Sequence, residues 1–261
     1  MAEVILAALL GACVGSFLNV CIVRLPEDRS IVFPASHCVA CKKPIRWHDN
    51  IPVLSYVLLR GRCRDCRAGI SWVYPAVELA GAALFALFYT TFGLTPAGVV
   101  YLSMALALLV ETVIDMRYQI IPDEITLPGM VIGLIVSTVW PSLHGSEVWW
   151  GGALASLAGL LAGGGFLYLA GTLAEKILKK EAMGGGDVKL LAMIGAVIGW
   201  QGVLWTVLAS SFTGAIAGLT LRWTTGEERI PFGPYLALGA VLYIFFGQSS
   251  IRWYIQMIGL G

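Results

Sequence analysis

The chain has 261 residues, of which 58% are hydrophobic and only 13% are charged, and its formal net charge is +1. Soluble domains carry about 25% charged residues, so this composition excludes an ordinary soluble domain. It is the composition of an integral membrane protein.

Apolar segments long enough to cross a membrane recur along the whole chain. A helix needs about 17 to 25 mostly apolar residues to cross the hydrocarbon layer. Helices are expected rather than barrel strands, because no segment alternates with a period of two. The first segment lacks a basic amino-terminal region, so we expect it to be retained rather than cleaved. The predicted spans are residues 4–23, 73–92, 97–114, 120–140, 149–173, 202–221 and 232–253, together with a shorter eighth segment, 188–200.

The basic residues predict which side of the membrane each loop occupies. With eight spans, all but Arg252 of the 17 Lys and Arg residues fall on one side. By the positive-inside rule this side is the cytoplasm, and both termini lie outside. A re-entrant segment 188–200 would place Arg222 and Arg229 outside, which favours eight spans. We expect the basic surface to meet anionic lipid rather than nucleic acid.

Two CxxC pairs lie in the polar segment between the first two spans, namely Cys38 with Cys41 and Cys63 with Cys66. The 21 residues between the pairs are typical of a four-thiolate zinc site. So short a segment with few large apolar side chains needs such a metal to fold. Disulfides or a redox dithiol are the alternatives, but a cytoplasmic location argues against stable disulfides.

The predicted fold is therefore an all-α polytopic membrane protein of about eight transmembrane helices, with a small cytoplasmic zinc-binding insert between helices 1 and 2. The remaining cysteines, Cys13 and Cys21, are expected to act as small hydrophobic residues in the first helix.

Two carboxylates in the most apolar part of the chain are the strongest functional candidates. Asp115 ends the apolar run 101–114, and Asp187 follows three glycines, residues 184–186, and opens the next run. A charged side chain at membrane depth costs roughly 2.5 to 3.5 kcal/mol, so neither is expected to serve packing. Asp115 terminates a helix, where the helix dipole disfavours a carboxylate. Both lie at cytoplasmic helix ends in the predicted topology, where a pair sharing one proton would activate water as in aspartic proteases.

Three neighbouring features have local structural interpretations. Asp123, after Pro122, is predicted to start and cap the next helix. Glu111, one turn before Asp115, is expected either to tune Asp115 or to be buried with Ser or Thr partners. The glycines at 163–165 lie in an apolar helix and are expected to permit close helix packing.

An ordered set of motifs along nearly the whole chain resembles the type IV prepilin peptidases, also called leader peptidase/N-methyltransferases, which are GxGD aspartic membrane proteases. The set begins in the first helix and ends before the last one. The motifs are Gly15-Ser16-Phe17-Leu18-Asn19-Val20, Arg24-Leu25-Pro26, the two CxxC pairs with Asn50-Ile51-Pro52 between them, Tyr74-Pro75 with Glu78-Leu79, Ile114-Asp115 through Ile121-Pro122-Asp123, Gly184-Gly185-Gly186-Asp187-Val188-Lys189, and Ile230-Pro231-Phe232-Gly233-Pro234-Tyr235.

The resemblance implies that Asp115 and Asp187 are the catalytic pair. They would remove the short basic leader of type IV prepilins or type II secretion pseudopilins after a glycine, at the cytoplasmic face of the bacterial inner membrane. The partners are then these substrates and the lipid bilayer. Two interpretations stay open for four acidic residues, which either receive the basic leader or only keep their loops soluble, namely Asp123, Glu124, Glu227 and Glu228.

The resemblance also implies methylation of the new amino terminus from S-adenosylmethionine by the cysteine-containing domain. No nucleotide-binding fingerprint marks that second site. Gly61 matches a position that the family associates with methylation, and Glu78 is a weaker candidate for binding the free amine. We therefore assign residues 1–23 to the first transmembrane helix, 24–71 to a cytoplasmic zinc domain associated with methyl transfer, and 72–261 to a membrane aspartic peptidase domain.

Other classes of function stay open on the residues alone. A membrane-anchored oxidoreductase would use the CxxC pairs as dithiols and would leave the two aspartates unexplained. A proton-coupled transporter would also bury carboxylates, but near the midplane and with internal repeats, which the sequence lacks. A presenilin-like GxGD protease shares the second aspartate motif but not the cysteine domain.

Overall fold

The structure, a computed structural model, describes residues 1–179, 184–224 and 231–257. Two of the 17 Lys and Arg residues, Lys180 and Arg229, lie outside these ranges, as do the acidic residues Glu227 and Glu228. Within them the regular elements are helices, with two isolated β-bridges in addition. The α-helices are α1 (Ala2–Arg24), α2 (Leu54–Leu58), α3 (Val73–Phe92), α4 (Pro96–Tyr118), α5 (Asp123–Val139), α6 (Trp149–Leu178), α7 (Gly185–Thr224), α8 (Gly233–Leu242) and α9 (Gln248–Met257). The chain divides into two compact units, residues 1–110 and 111–261.

Among the described residues, six helical segments are long and apolar enough to cross a membrane, where the sequence predicts eight. The expectation of a helical, multi-pass membrane protein is thus confirmed. The difference in number arises because α5 has only 17 residues and because α7 is a single element of 40 residues. The six segments are Ala2–Glu27, Val73–Phe92, Pro96–Tyr118, Trp149–Ile177, Gly185–Thr224 and Gly233–Tyr254.

The long helix α7 is broken at Gly199. Its φ of 73° and ψ of 175° lie outside the helical region, in a conformation that glycine adopts without a Cβ clash. The carbonyl of Ala196, one turn before this break, accepts hydrogen bonds from the hydroxyls of Ser137 and Ser156 at 3.2 and 2.6 Å. A broken helix leaves carbonyls without intrahelical partners, so the two serines stabilise the break.

The first half of α7 forms the centre of the second unit. Residues 190–199 are all buried, which is typical of a helix that is apolar on every side and enclosed by others. Helix α6 approaches closely at Gly163, where a Cβ would lie 2.8 Å from the carbonyl carbon of Leu191. Helix α5 approaches at Gly133, where a Cβ would lie 2.9 Å from that of Ala196. The packing role predicted for the glycines at 163–165 is therefore confirmed at Gly163.

In the first unit, buried polar side chains join the end of α1 to the start of α3 and to the polar insert. Asn19 Nδ2 in α1 donates a hydrogen bond to the carbonyl of Tyr74 at 3.0 Å. The Arg24 guanidinium, at the end of α1, is buried and donates to the carbonyls of Ser30 and Pro34 at 2.9 and 2.6 Å. A buried guanidinium needs such acceptors, so the start of the insert is held at the helix end.

Candidate functional site

Asp115 and Asp187 line one cavity of about 300 Å³ in the second unit. Asp115 lies in the last turn of α4, and Asp187 lies in the first turn of α7. The structure thus brings together the two carboxylates that the sequence selects, at the ends of their helices. The other lining residues are Gln119, Ile120, Ile121, Asp123, Gly184, Gly185, Gly186 and Lys189.

The buried Asp115 side chain is held by the amino terminus of α8. The backbone N–H of Gly233, the first residue of α8, donates a hydrogen bond to Asp115 Oδ2 at 3.0 Å. A helix amino terminus favours a negative charge, so α8 offsets the unfavourable position of Asp115 at the end of α4. Sequence reasoning missed this role of Gly233, although Pro234 just inside a helix start is a signal for such a terminus.

Asp187 occupies the first turn of α7, where the helix dipole favours its carboxylate. Its backbone N–H donates to the carbonyl of Gly184 at 3.2 Å. A Cβ on Gly184 would lie 3.3 Å from Asp187 Oδ2, so the chain before the helix passes directly against the carboxylate.

Asp123 opens α5 as predicted, but the prediction that it caps the helix is wrong. The N-cap residue is Pro122, and no side-chain cap hydrogen bond forms. Instead Lys189 Nζ donates to both carboxylate oxygens of Asp123, at 2.7 and 2.8 Å. Exposed ion pairs of this kind contribute little stability, but this one ties the start of α5 to the start of α7 beside the cavity. Because Lys189 engages the Asp123 carboxylate, Asp123 is a weaker candidate for receiving a basic leader.

Glu111 lies one turn before Asp115 and is only 1% exposed. Within the described ranges neither of its carboxylate oxygens has a hydrogen-bond partner, so the Ser or Thr partners considered for it are not found there. Burying a carboxyl group without partners is costly. The alternative, that Glu111 tunes Asp115, stays a prediction.

The four cysteines of the insert form one cluster. Their Sγ atoms all lie within 4.8 Å of one another, and those of Cys38 and Cys66 are 3.8 Å apart. A tetrahedral ion with metal–sulfur distances of about 2.3 Å would place its sulfur ligands about 3.8 Å apart. All four thiols are free rather than joined in disulfides. The cluster therefore fits a metal ion, as the CxxC spacing predicts.

The two CxxC segments fold into equivalent turns. The N–H of Cys38 donates to the carbonyl of Lys43 at 2.9 Å, and the N–H of Cys63 donates to that of Ala68 at 2.8 Å. The N–H of Cys41 helps to lower the pKa of Cys38 to about 6, despite the opposing effect of desolvation. A thiol with this pKa is largely ionised at neutral pH, and the thiolate is the form that binds metal.

A bidentate ion pair joins the second CxxC turn to the rest of the insert. Arg64 donates from Nε and Nη2 to the two carboxylate oxygens of Asp49, at 2.7 and 2.6 Å. These hydrogen bonds hold the pKa of Asp49 below its usual range. A carboxylate with a lowered pKa stabilises the fold at neutral pH, and this contribution is lost as the pH falls through the lowered value.

The two candidates for the methyl-transfer site have clear structural contacts in the first unit. Gly61 has a φ of 65° and donates its N–H to the carbonyl of Tyr56 at 2.8 Å, which makes it a turn glycine. The buried Glu78 accepts the N–H of Val53 through Oε2 at 2.7 Å. Val53 has a φ of 61°, which is strained for a β-branched residue. Their roles in methyl transfer stay predictions.

Two known family domains match the chain in order. Residues 9–92 match the Bacterial Peptidase A24 N-terminal domain, and residues 101–219 match the Type IV leader peptidase family. No solved structure matches the chain.

Relatives named prepilin leader peptidase/N-methyltransferase are similar along nearly the whole chain. The one from Pseudomonas putida is 36% identical over 97% of this chain and 94% of its own length. The one from Pseudomonas aeruginosa is 37% identical over 99% of this chain and 96% of its own length. The one from Myxococcus xanthus is 38% identical over 84% of this chain and 63% of its own length. With both domains in order and relatives of this similarity, the chain belongs to the type IV leader peptidase family.

Proposed function

We propose that this protein is a membrane aspartic endopeptidase and N-methyltransferase in which Asp115 and Asp187 are the catalytic pair. Its substrates are type IV prepilins or type II secretion pseudopilins, which it cuts after the glycine that ends their basic leader. The observation that carries the proposal is that both carboxylates line one cavity where two helices end. This is the arrangement that water activation by a carboxylate pair requires.

The mechanism follows from two carboxylates that share one proton. The ionised carboxylate takes a proton from water, and the water oxygen attacks the carbonyl carbon of the scissile peptide bond. The carbon–nitrogen bond then breaks, and the protonated carboxyl donates its proton to the leaving amine. The N–H of Gly233 holds Asp115 in place during these steps.

The substrate approaches within the membrane. Its apolar helix lies in the bilayer beside the enzyme, and its basic leader stays in the cytoplasm, so the scissile bond is held at the membrane face. Confinement to the bilayer supplies much of the orientation that the reaction needs. Incubation of the purified protein with a full-length prepilin and with a full-length pseudopilin, both in detergent, tests the proposal. Recovery of both substrates intact would contradict it.

We propose an eight-span topology in the bacterial inner membrane, with the cysteine insert in the cytoplasm. At 1.5 Å per residue, 40 helical residues extend about 60 Å, twice the hydrocarbon thickness, which supports two crossings in α7. The break at Gly199 separates them, and α5 adds a crossing at the lower limit of length. Alkaline phosphatase fused after Gly145, between α5 and α6, should then be active outside the cytoplasm, because only a crossing by α5 carries this loop there. An inactive fusion of full length would contradict this topology.

We propose that the four-cysteine cluster holds a structural Zn²⁺ ion, with Cys38, Cys41, Cys63 and Cys66 as ligands. Four thiolates close the tetrahedral site, so it supplies shape to the insert and has no open position for a substrate. The equivalent turns and free thiols of the cluster support this role.

Changing Cys63 to Ser is expected to reduce bound zinc from about one ion per chain to a small fraction of that. A hydroxyl is a poor replacement for a thiolate ligand, so the remaining three sulfurs hold the ion weakly. Metal analysis of the purified protein measures the change. The control is Cys13→Ser, since Cys13 lies exposed in α1 and is not part of the cluster. Equal zinc content in the two variants would rule out the proposed ligands.

We propose that methyl transfer takes place at the insert, near Gly61 and Glu78. S-adenosylmethionine supplies the methyl group, and a carboxylate near the new amino terminus would orient the amine and take up its proton. Glu78 is suited to this because its buried carboxylate accepts the Val53 N–H through Oε2 at 2.7 Å and so lies directly against the insert. The Gly61 turn packs on the Tyr56 ring, where a Cβ would lie 3.0 Å from the hydroxyl oxygen.

Changing Glu78 to Gln is expected to reduce amino-terminal methylation by about 10²-fold and to leave leader cleavage unchanged. Glutamine keeps an oxygen for the Val53 N–H but cannot accept the proton of the amine. Mass spectrometry of the cleaved substrate measures both reactions in one sample, and zinc content shows that the insert is intact. Methylation at the wild-type rate would exclude Glu78 from the reaction.

A further inference from the structure

Ile121 lies between Gly186, which precedes Asp187, and Gly233, whose N–H donates to Asp115. It belongs to the loop between α4 and α5 and is one of the residues that line the cavity. A Cβ on Gly186, the residue before Asp187, would lie 2.9 Å from Cβ of Ile121. A Cβ on Gly233, which donates to Asp115, would lie 3.5 Å from Cδ1 of the same side chain. The branched side chain of Ile121 therefore spans the wall from one carboxylate to the other.

This position restricts any peptide that reacts in the cavity. A water molecule activated by both carboxylates must lie within about 3 Å of the carbonyl carbon that it attacks. The substrate residue that carries this carbonyl therefore lies against the same wall. Because Ile121 already fills the space between Gly186 and Gly233, a substrate side chain at this point competes with it for volume.

The loop that carries Ile121 is joined to neighbouring elements at both of its ends. Gln119 adopts a φ of 55° and donates its N–H to the carbonyl of Asp115 at 2.9 Å, so the chain turns sharply after α4. At the other end of the loop, the ion pair of Asp123 with Lys189 fastens the start of α5 to α7. The exposed ion pair contributes little energy by itself, so the wall is set mainly by the close packing of Ile121 against Gly186 and Gly233.

We propose that Ile121 is the specificity-determining residue that limits the substrate residue before the scissile bond to glycine. This inference rests on the proposed function, because it assumes that Asp115 and Asp187 carry out the cleavage. It goes beyond that function by assigning the size selection to one side chain. The side chain acts by excluding volume, so its effect depends on its size and not on any polar contact.

The test is a specificity measurement with purified full-length protein in detergent. The substrates are a full-length prepilin and its variants with Ala or Val in place of the glycine before the cut. A further variant carries a larger residue just after the cut. The enzymes are the wild type, Ile121→Ala, Ile121→Val and the control Ile132→Ala, which removes the same atoms from the exposed face of α5.

The expected result is a change in the ratio of kcat/KM values between substrates. Ile121→Ala should raise the value for the Ala substrate relative to the Gly substrate by at least about 10-fold, and Ile121→Val by less. The Ile132→Ala ratio should equal that of the wild type. Selectivity for the residue after the cut should stay unchanged in all four enzymes.

Each other outcome has a definite meaning. If the wild type does not cut the prepilin at all, the proposed function fails, and with it this inference. If the wild type cuts and Ile121→Ala keeps the wild-type ratio, only the inference is overturned. If an Ile121 variant instead loses selectivity for the substrate residue just after the scissile bond, that residue lies against Ile121. This outcome would also overturn the inference. Loss of all cleavage in both Ile121 variants would show that the side chain supports the carboxylates instead.

Discussion

Replacing either Asp115 or Asp187 by asparagine is expected to reduce the rate of leader cleavage by about 10³- to 10⁴-fold. General acid–base catalysis by a positioned side chain contributes about 10²- to 10⁴-fold, and in the proposed mechanism one pair carries both the acid and the base role. Asparagine has nearly the same shape as aspartate but neither accepts nor donates the required proton. The measurement is the single-turnover rate with a saturating amount of enzyme over prepilin, which reports chemistry rather than substrate binding.

The double variant distinguishes a pair from two independent residues. Groups that act as a unit have strongly non-additive effects, so Asp115→Asn with Asp187→Asn should be about as slow as the slower single variant. The control is Asp28→Asn, which makes the same change at an exposed position of the insert. It should cleave at the wild-type rate. A single variant that kept more than about a tenth of the wild-type rate would show that its carboxyl is not part of the chemistry.

Replacing Gly233 by alanine is expected to reduce the cleavage rate by about 10²-fold, although the substitution adds only one methyl group. A Cβ at this position would lie 2.6 Å from Oδ2 and 3.3 Å from Cγ of Asp115. The carboxylate must therefore move, and it loses the hydrogen bond from the Gly233 N–H that holds it at the α8 terminus. A displacement of about 1 Å at a catalytic group is enough to cost about 10²-fold in rate.

The matched control is Gly165→Ala in α6, where an added Cβ would meet nothing within 4 Å. Alanine also favours a helix more than glycine does, so this variant should fold and cleave like the wild type. Both variants should keep the helical content of the wild type by circular dichroism, which shows that a slow Gly233→Ala protein is not simply misfolded. A wild-type rate for Gly233→Ala would mean that Asp115 does not need its place at the α8 terminus.

Features that depend on local sequence were predictable. The two CxxC turns lie within four residues each, so their spacing alone predicts a common metal site, and the thiols do cluster. The break in α7 was also predictable, because two apolar segments of unequal length meet near residue 200, and the break occurs at Gly199. Asp115 and Asp187 both lie at helix ends, and the predicted topology places these ends at one face of the membrane. The cavity that the two residues share agrees with this.

Features that depend on residues far apart in sequence were not predictable. The hydrogen bond between Gly233 and Asp115 joins residues 118 positions apart, and no residue near Asp115 in the sequence predicts it. The prediction that Asp123 caps α5 failed because its carboxylate forms an ion pair with Lys189, which is 66 positions away. Ile121 stands in a quoted motif, but the sequence assigns it no role, since the proposed role comes from the two glycines against which it packs. Such contacts arise only when the helices pack, and local propensity does not encode them.

The most direct test of the carboxylate pair is intact-mass spectrometry of one full-length prepilin after incubation with each purified enzyme and S-adenosylmethionine. With the wild type, the product should lack the leader up to and including the glycine and should carry one added methyl group. With Asp115→Asn or Asp187→Asn, the substrate should be recovered at its full mass. A cleaved product from either variant at the wild-type yield would contradict the assignment of Asp115 and Asp187 as the catalytic pair.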